Sequence, residues 1–395
     1  MRQLTCVVLG GGFAGIHAMK SIHQAFQSNK ERIQLQLILI DKLEAHLRKV
    51  LLLQPAASGE PISVPWQQLL PADAAFIQGT ATGIDHQLNL LHYEDIEGKQ
   101  QLQAFDMLVV AIGSVAEKPA AELGGIALAD LESASRIRSQ WMHNLQQAAF
   151  TAHSIEKARL MSVAIAGAGI TGVETAAELA YAMKQEAQQL GLNPEEIHVH
   201  LLNAKARLFQ EGPAKVADKV ERTLAACGVT VHHQLKALQA ADDHVHVSDG
   251  QRLPVGLTIW TLGLRPNSML MNLSLPLTAD GQVQVDSSYR VIGTNGVYSI
   301  GDCAHIVDPV TGMKDAMTCK EAIPQAQRLG SILYADATGR SASQHKSVLP
   351  SFTIGLGPER GVMWTRKWGL DMIVTGKLAY RIKVFLWNYA SLLRG

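Results

Sequence analysis

The chain of 395 residues carries 35 Lys plus Arg against 35 Asp plus Glu, with 47% hydrophobic and 18% charged residues. That length accommodates roughly two or three domains with full cores, and the low charge fraction with zero net charge excludes a disordered chain and a bulk nucleic-acid binder. Four cysteines, none in a CxxC pair, exclude a disulfide framework, a zinc ribbon and a thioredoxin-type motif, and they fit a reducing, cytosolic compartment.

The apolar run from Leu4 to Leu9 is too short for a signal-peptide core and leads straight into glycines, so it reads as a buried strand. A helix is predicted from Ala14 to Gln27 and a second buried strand from Leu35 to Ile40, ending at Asp41. Between the first strand and the helix stand Gly10, Gly12 and Gly15 in GxGxxG spacing. The first glycine permits a tight turn, the second lets a diphosphate approach the backbone, and the third lets helix and strand pack closely. The free N–H groups of the helix then meet the phosphates, and Asp41 is placed to accept from a ribose.

Asp106 to Ser114 reads as a further buried strand, and Leu123 to Ile155 as a polar, helical connector into a second unit. There the order returns: strand Ser162 to Ala166, glycines Gly167, Gly169 and Gly172, helix Thr171 to Gln188, strand Ile197 to Leu202. This second strand ends at Asn203 instead of an acid. Lys205 and Arg207 follow, either facing a 2′-phosphate or lying as solvated loop charges, so NADH and NADPH both stay open. His198 with His200, and His244 with His246, lie at strand spacing; with no convergent ligands they read as exposed strand histidines, and no metal site is expected. Asn295 to Ala304 is another buried strand, ending in Gly301-Asp302. Continuous apolar strands alternating with helices indicate parallel sheets covered on both faces, hence an α/β fold with two Rossmann-like units.

The segment from Glu359 to Gly395 holds seven basic and two acidic residues, a net of +5, which leaves −5 on the rest of the chain. On a helix from Lys377 to Arg394, Leu378, Ile382, Phe385, Leu386, Tyr389, Leu392 and Leu393 share one face. Lys377, Arg381, Lys383, Asn388, Ser391 and Arg394 share the other, with Tyr380 and Trp387 at the margins. Such a helix either lies at an anionic membrane surface or docks on the protein's own core or a second subunit. No apolar run reaches the length of a spanning helix.

Taken in this order, the two glycine motifs, the segment ending in Ala-Ile-Gly and the Gly301-Asp302 segment resemble the two-dinucleotide-binding-domain flavoproteins, with a glutathione-reductase-like fold. The resemblance implies FAD over the first motif and NADH or NADPH over the second. It implies an FAD domain over 1–120 and 276–345, an inserted NAD(P)H domain over 121–275, and a C-terminal α+β region over 346–395. By carry-over, FAD is held by Gly10, Gly12, Phe13, Ala14, Gly15, Asp41, Lys42, Arg48, Ala111, Gly113, Gly301 and Asp302, with Asp302 on the ribityl chain. Gly167, Gly169, Ile170, Thr171, Gly172, Asn203 and Gly263 hold the nicotinamide nucleotide. Arg48 and Lys49 either meet FAD phosphates or an acceptor, or are solvated.

No cysteine lies between Ala45 and Pro55, where disulfide reductases carry their redox pair. What remains resembles the type II NADH:quinone oxidoreductases and the apoptosis-inducing-factor-like quinone reductases, on Gly172-Val173-Glu174 and on Met317 to Ala326. Lys320 stands where a Gln is usual and Pro324 where a second would stand. Glu174 is implied to lie near the nicotinamide and flavin rings, or else is a helix-face carboxylate. Lys320 either stabilises negative charge on reduced flavin or is a surface lysine. The implied activity is NAD(P)H:quinone oxidoreduction without proton pumping, peripheral on the cytoplasmic face of a membrane, with a homodimer common among such proteins. A flavin reductase serving a protein partner and a redox-sensing flavoprotein are the alternatives.

Overall fold

The computed structural model describes residues 2–28 and 33–393; Arg394 lies outside them. In chain order the elements are β1 (Arg2–Leu9), α1 (Phe13–Gln27), β2 (Ile33–Asp41), α2 (Leu53–Ala57), β3 (Ala75–Asp85), β4 (Leu90–Asp95), β5 (Gln100–Ala104) and β6 (Met107–Val110). The second unit comprises α3 (Leu131–Phe150), α4 (Ser154–Leu160), β7 (Ser162–Ala166), α5 (Ile170–Gln189), β8 (His198–Asn203), α6 (Ala214–Ala226), β9 (Val229–His233) and β10 (Leu257–Trp260). The chain returns through β11 (Val297–Ser299) and α7 (Cys319–Ala337), and ends in β12 (Ser351–Gly355), β13 (Gly361–Lys367), β14 (Leu370–Thr375) and α8 (Lys377–Ala390).

The first sheet runs β11, β6, β1, β2, β3, β4, β5, parallel up to β3 and antiparallel through the meander. Its central strands are buried on both faces, which is why Val7, Val8 and Leu9 read as an unbroken apolar run. One face packs Leu39 and Val109 under α1 and α7, with Ile16, Met19, Leu329 and Leu333 between them. Each such side chain contributes about 1.5–3 kcal/mol on burial. The second sheet places β10, β7, β8 and β9 in parallel behind an edge strand, Ile126–Ala127.

The fold class stands as read, with local corrections. Asp106 to Ser114 is not one strand: β6 stops at Val110 and extended chain resumes at Ser114–Ala116. Likewise β11 covers only Val297–Ser299, and Gly301–Cys303 forms a 3-10 turn. The chain crosses between units at Ser114–Ala116 and Leu264–Pro266, which pair antiparallel. Leu270, Leu273 and Leu275, inside the expected 121–275 unit, pack instead with Val7, Ile38 and Leu108 of the first. Nor is α3 a mere connector: Ile137, Trp141 and Leu145 are buried, and Trp141 Nε1 donates to Ala56 O at 2.9 Å. Its polar composition hid a narrow apolar stripe.

Candidate functional site

Both glycine turns share one steric logic. A Cβ on Gly15 would lie 1.9 Å from Gly10 O, and one on Gly172 would lie 1.9 Å from Gly167 O, so the third glycine of each motif is required by packing. A Cβ on Gly12 or Gly169 would meet nothing within 4 Å. The second glycine of each motif therefore faces open space, as a ligand-approach position must. Gly12 and Gly169 also cap α1 and α5 without any side-chain hydrogen bond, leaving the first-turn N–H groups at Phe13 to Gly15 and Ile170 to Gly172 free for an anion. These residues fit two dinucleotides, FAD and a nicotinamide nucleotide.

Asp41 closes the first turn: Oδ2 accepts from Gly11 N–H at 2.6 Å and Oδ1 from Leu43 N–H at 2.8 Å. Burial pushes its carboxyl up, against these bonds and the nearby Lys42 and Lys49 charges. Sequence reasoning missed what backs this turn. Buried His46 holds Gly11 O at 2.8 Å through Nδ1, and Trp66 fills the space where a Gly11 side chain would be. Burial lowers the His46 pKa to about 4, so its ring is neutral. Lys42 is exposed; its carbonyl accepts from Gln78, and its charge acts on Asp41 and Lys49.

Arg48 is not a solvated loop charge: its guanidinium donates from Nε to Ser391 Oγ (2.9 Å), the residue after α8, and from Nη2 to Asn388 Oδ1 (3.0 Å) of α8. Lys49 instead points to the junction, donating to Ser114 O at 2.8 Å, while Ser114 Oγ donates to Asp302 Oδ2 at 2.6 Å. Burial raises the Asp302 carboxyl, partly offset by that hydroxyl and by Lys49. Ala111 packs its carbonyl against Gly10, whereas Gly113 and Gly263 border open space. Behind Asp302, Gly301 N–H donates to Gln325 Oε1 (2.8 Å), whose amide donates to Asp315, itself 3.2 Å from His345. Gln325 falls inside the Met317 to Ala326 segment, but its part in holding the Gly301-Asp302 turn was not legible.

Glu174 is buried on α5, and its Oε1 accepts from Gly355 N–H at 2.7 Å and from Lys383 Nζ at 2.8 Å. Lys383 also donates to Thr353 O at 2.8 Å and stands 5.2 Å over the Trp387 ring. This corrects the helical wheel: Lys383 and Trp387 of α8 face the protein interior. Asn388 and Ser391 do the same, bonded to Arg48. Glu178, one turn along α5, has its carboxyl raised to about 7 by burial and by Glu174 and Glu60. Lys320 is half-exposed and tied to Glu321 at 3.0 Å and to Ser351 O at 3.3 Å, so its charge is already shared within the protein. Burial raises the thiols of Cys6, Cys303 and Cys319, which holds them protonated and inert. His198 and His200 lie 6.5 Å apart with His232 against His200, and among the described residues no group of three or more His, Cys, Asp or Glu forms a metal cluster.

A family model described as pyridine nucleotide-disulphide oxidoreductase matches residues 4–327. The chain is 27% identical over 345 residues to a demethylphylloquinone reductase of Synechocystis sp., covering 84% of this chain and 80% of that one. It is 24% identical over 385 residues to the type II NADH:quinone oxidoreductase of Staphylococcus aureus, covering 95% and 92%. In fold, it superposes on NDH2 from Plasmodium falciparum in complex with NADH with a TM-score of 0.82 at 16% identity, over 100% of this chain and 95% of that one.

Proposed function

This chain belongs to the pyridine nucleotide-disulphide oxidoreductase family, and from that premise we propose that it passes electrons from NAD(P)H through FAD to a quinone at a membrane surface, without pumping protons. The observation that carries this reading is the inverted α8. Its polar face closes over Glu174 and Arg48, and its apolar face, with Leu378 60% and Phe385 58% exposed, points outward beside the site. A helix so arranged joins a redox site to an apolar phase, where a lipid-soluble acceptor is found. The quinone named in both curated relatives supports the same acceptor. The absence of any cysteine between Ala45 and Pro55 speaks against a dithiol route.

Bound FAD supplies hydride acceptance and two-electron donation. The protein's own part is positioning: the uncapped starts of α1 and α5 hold the diphosphates, Asp41 takes a ribose, and the Lys49–Ser114–Asp302 chain orients the polyol side. Glu174 and Lys383 hold a compensated charge pair at the back of the site, and Glu178 beside them titrates close to neutrality. Steady-state oxidation of NADH and NADPH with a short-chain quinone tests the reading. Turnover at least tenfold above the rate with oxygen alone is expected; equal rates overturn it.

A further inference from the structure

The two glycine units share a hydrogen-bond pattern at the ribose end and differ in one atom. In the first, Gly10 N–H donates to Ile40 O at 2.8 Å, and the next residue, Asp41, accepts from Leu43 N–H and from Gly11 N–H. In the second, Gly167 N–H donates to Leu202 O at 3.1 Å, and the next residue, Asn203, accepts at Oδ1 from Lys205 N–H at 3.1 Å. The atom that in Asp41 reaches back to the glycine turn is in Asn203 an amide nitrogen, and it donates away from the turn to His233 Nδ1 at 2.9 Å. Glu221 holds His233 from the other side at 3.2 Å. Asn203 is thus pinned at both side-chain atoms, buried and uncharged.

A carboxylate in this place accepts the 2′-hydroxyl of NADH and repels a 2′-phosphate; Asn203 does neither. Positive charge stands close by. Lys205 is exposed, and its carboxylate partner, Glu211, is an exposed residue 3.4 Å away. An exposed pair of this kind contributes at most about 1 kcal/mol, so the ammonium is available to a dianionic group. Arg207 donates to the carbonyls of Gln210 and Gly212 at 3.1 Å each, which closes the loop that carries Lys205 and adds a fixed positive charge to it.

We infer that the second unit recognises the 2′-phosphate of NADPH, with Asn203 and Lys205 as the specificity-determining residues. His233 positions the Asn203 amide, and Arg207 positions the loop. The inference rests on the proposed NAD(P)H oxidation at this site, and the test separates the two.

Calorimetric titration of the FAD-loaded full chain with adenosine 2′,5′-bisphosphate and with adenosine 5′-monophosphate isolates the 2′-phosphate, beside kcat/KM for both nicotinamides. The bisphosphate is expected to bind about tenfold or more tightly, and NADPH to be used at least as efficiently as NADH. Asn203→Asp should move the NADPH to NADH ratio of kcat/KM at least about tenfold toward NADH. Because that variant disturbs the His233 bond, Lys205→Glu on the exposed loop serves as a second, with a shift in the same direction and loss of the bisphosphate advantage. Equal affinity for the two nucleotides in the unaltered chain, or a ratio unmoved by Lys205→Glu, overturns the inference. A bisphosphate preference without quinone reduction by either nicotinamide supports the inference while defeating the proposed function.

Discussion

Glu174 is buried, and Lys383 is the side chain that compensates it; their side chains are 5% and 12% exposed. Removing one partner of such a pair leaves an unpaired polar group in a dry site, which costs about 3 kcal/mol. Lys383→Met is therefore expected to lower the urea midpoint sharply, and Glu174→Gln with Lys383→Met to recover part of the loss. A single variant as stable as the unaltered chain would show that the pair contributes nothing. Glu178 gives a pH signature of definite sign. Its folded pKa, about 7, lies above the ordinary glutamate value of 4.5, so the folded state binds the proton more tightly than the unfolded chain. The stability it contributes is fully present below about pH 4.5 and is lost as pH rises through 7. Glu178→Gln should thus gain melting temperature relative to the unaltered chain at about pH 8 but not at about pH 4, and an equal difference at both would refute the assignment.

At the scale of elements, what was legible in the sequence is what is local. The starts of α1 and α5, and Asp41 and Asn203 at strand ends, follow from runs of a few dozen residues whose glycines and apolar periodicity leave little choice. The supporting partners are remote in sequence: Glu174 with Lys383, Arg48 with Ser391, Gly301 with Gln325. No periodicity encodes such pairings, and for α8 the wheel misled in a specific way. It separated the faces only in part: Lys383, Asn388 and Ser391 of its polar face are docked while Lys377 and Arg381 are exposed, and Leu392 and Leu393 of its apolar face lie past the end of α8 and pack on the core. Leu378, Phe385, Leu386 and Tyr389 stay outside, and Trp368, Leu370 and Met372 on and beside β14 extend the same character. Each of these side chains gains about 1.5–3 kcal/mol when removed from water. Replacing Leu378, Phe385 and Leu386 together by Ser should abolish co-sedimentation with lipid vesicles and preserve turnover with a water-soluble quinone, because none of the three is buried in the fold. Undiminished sedimentation would locate membrane contact elsewhere or nowhere.

Over the whole molecule, the zero net charge divides into a −5 body and a +5 tail, but the folded tail does not present five free cations. Lys383 is spent on Glu174, Lys377 pairs with Glu359 at 2.5 Å, and Arg366 pairs with Asp371 at 2.8 Å. Among the described residues of the tail, Arg360 and Lys367 are left without a carboxylate, and Arg381 lies in the field of Glu359, which Lys377 already pairs, so three cations stand in excess of the acids. At about 1 kcal/mol for each cation near an anionic leaflet, these supply about 3 kcal/mol of attraction, roughly a hundredfold in partitioning. That attraction is screened within about 10 Å at moderate salt, whereas burial of the apolar face is not. Binding to anionic vesicles is therefore expected to fall about tenfold to a hundredfold between low and high ionic strength, down to the level seen on neutral vesicles, and then to stop falling. Binding that vanishes in salt would make the tail a purely electrostatic tether and leave its outward leucines unexplained. Binding indifferent to salt would mean that the segregation of charge along this chain has no part in where it sits.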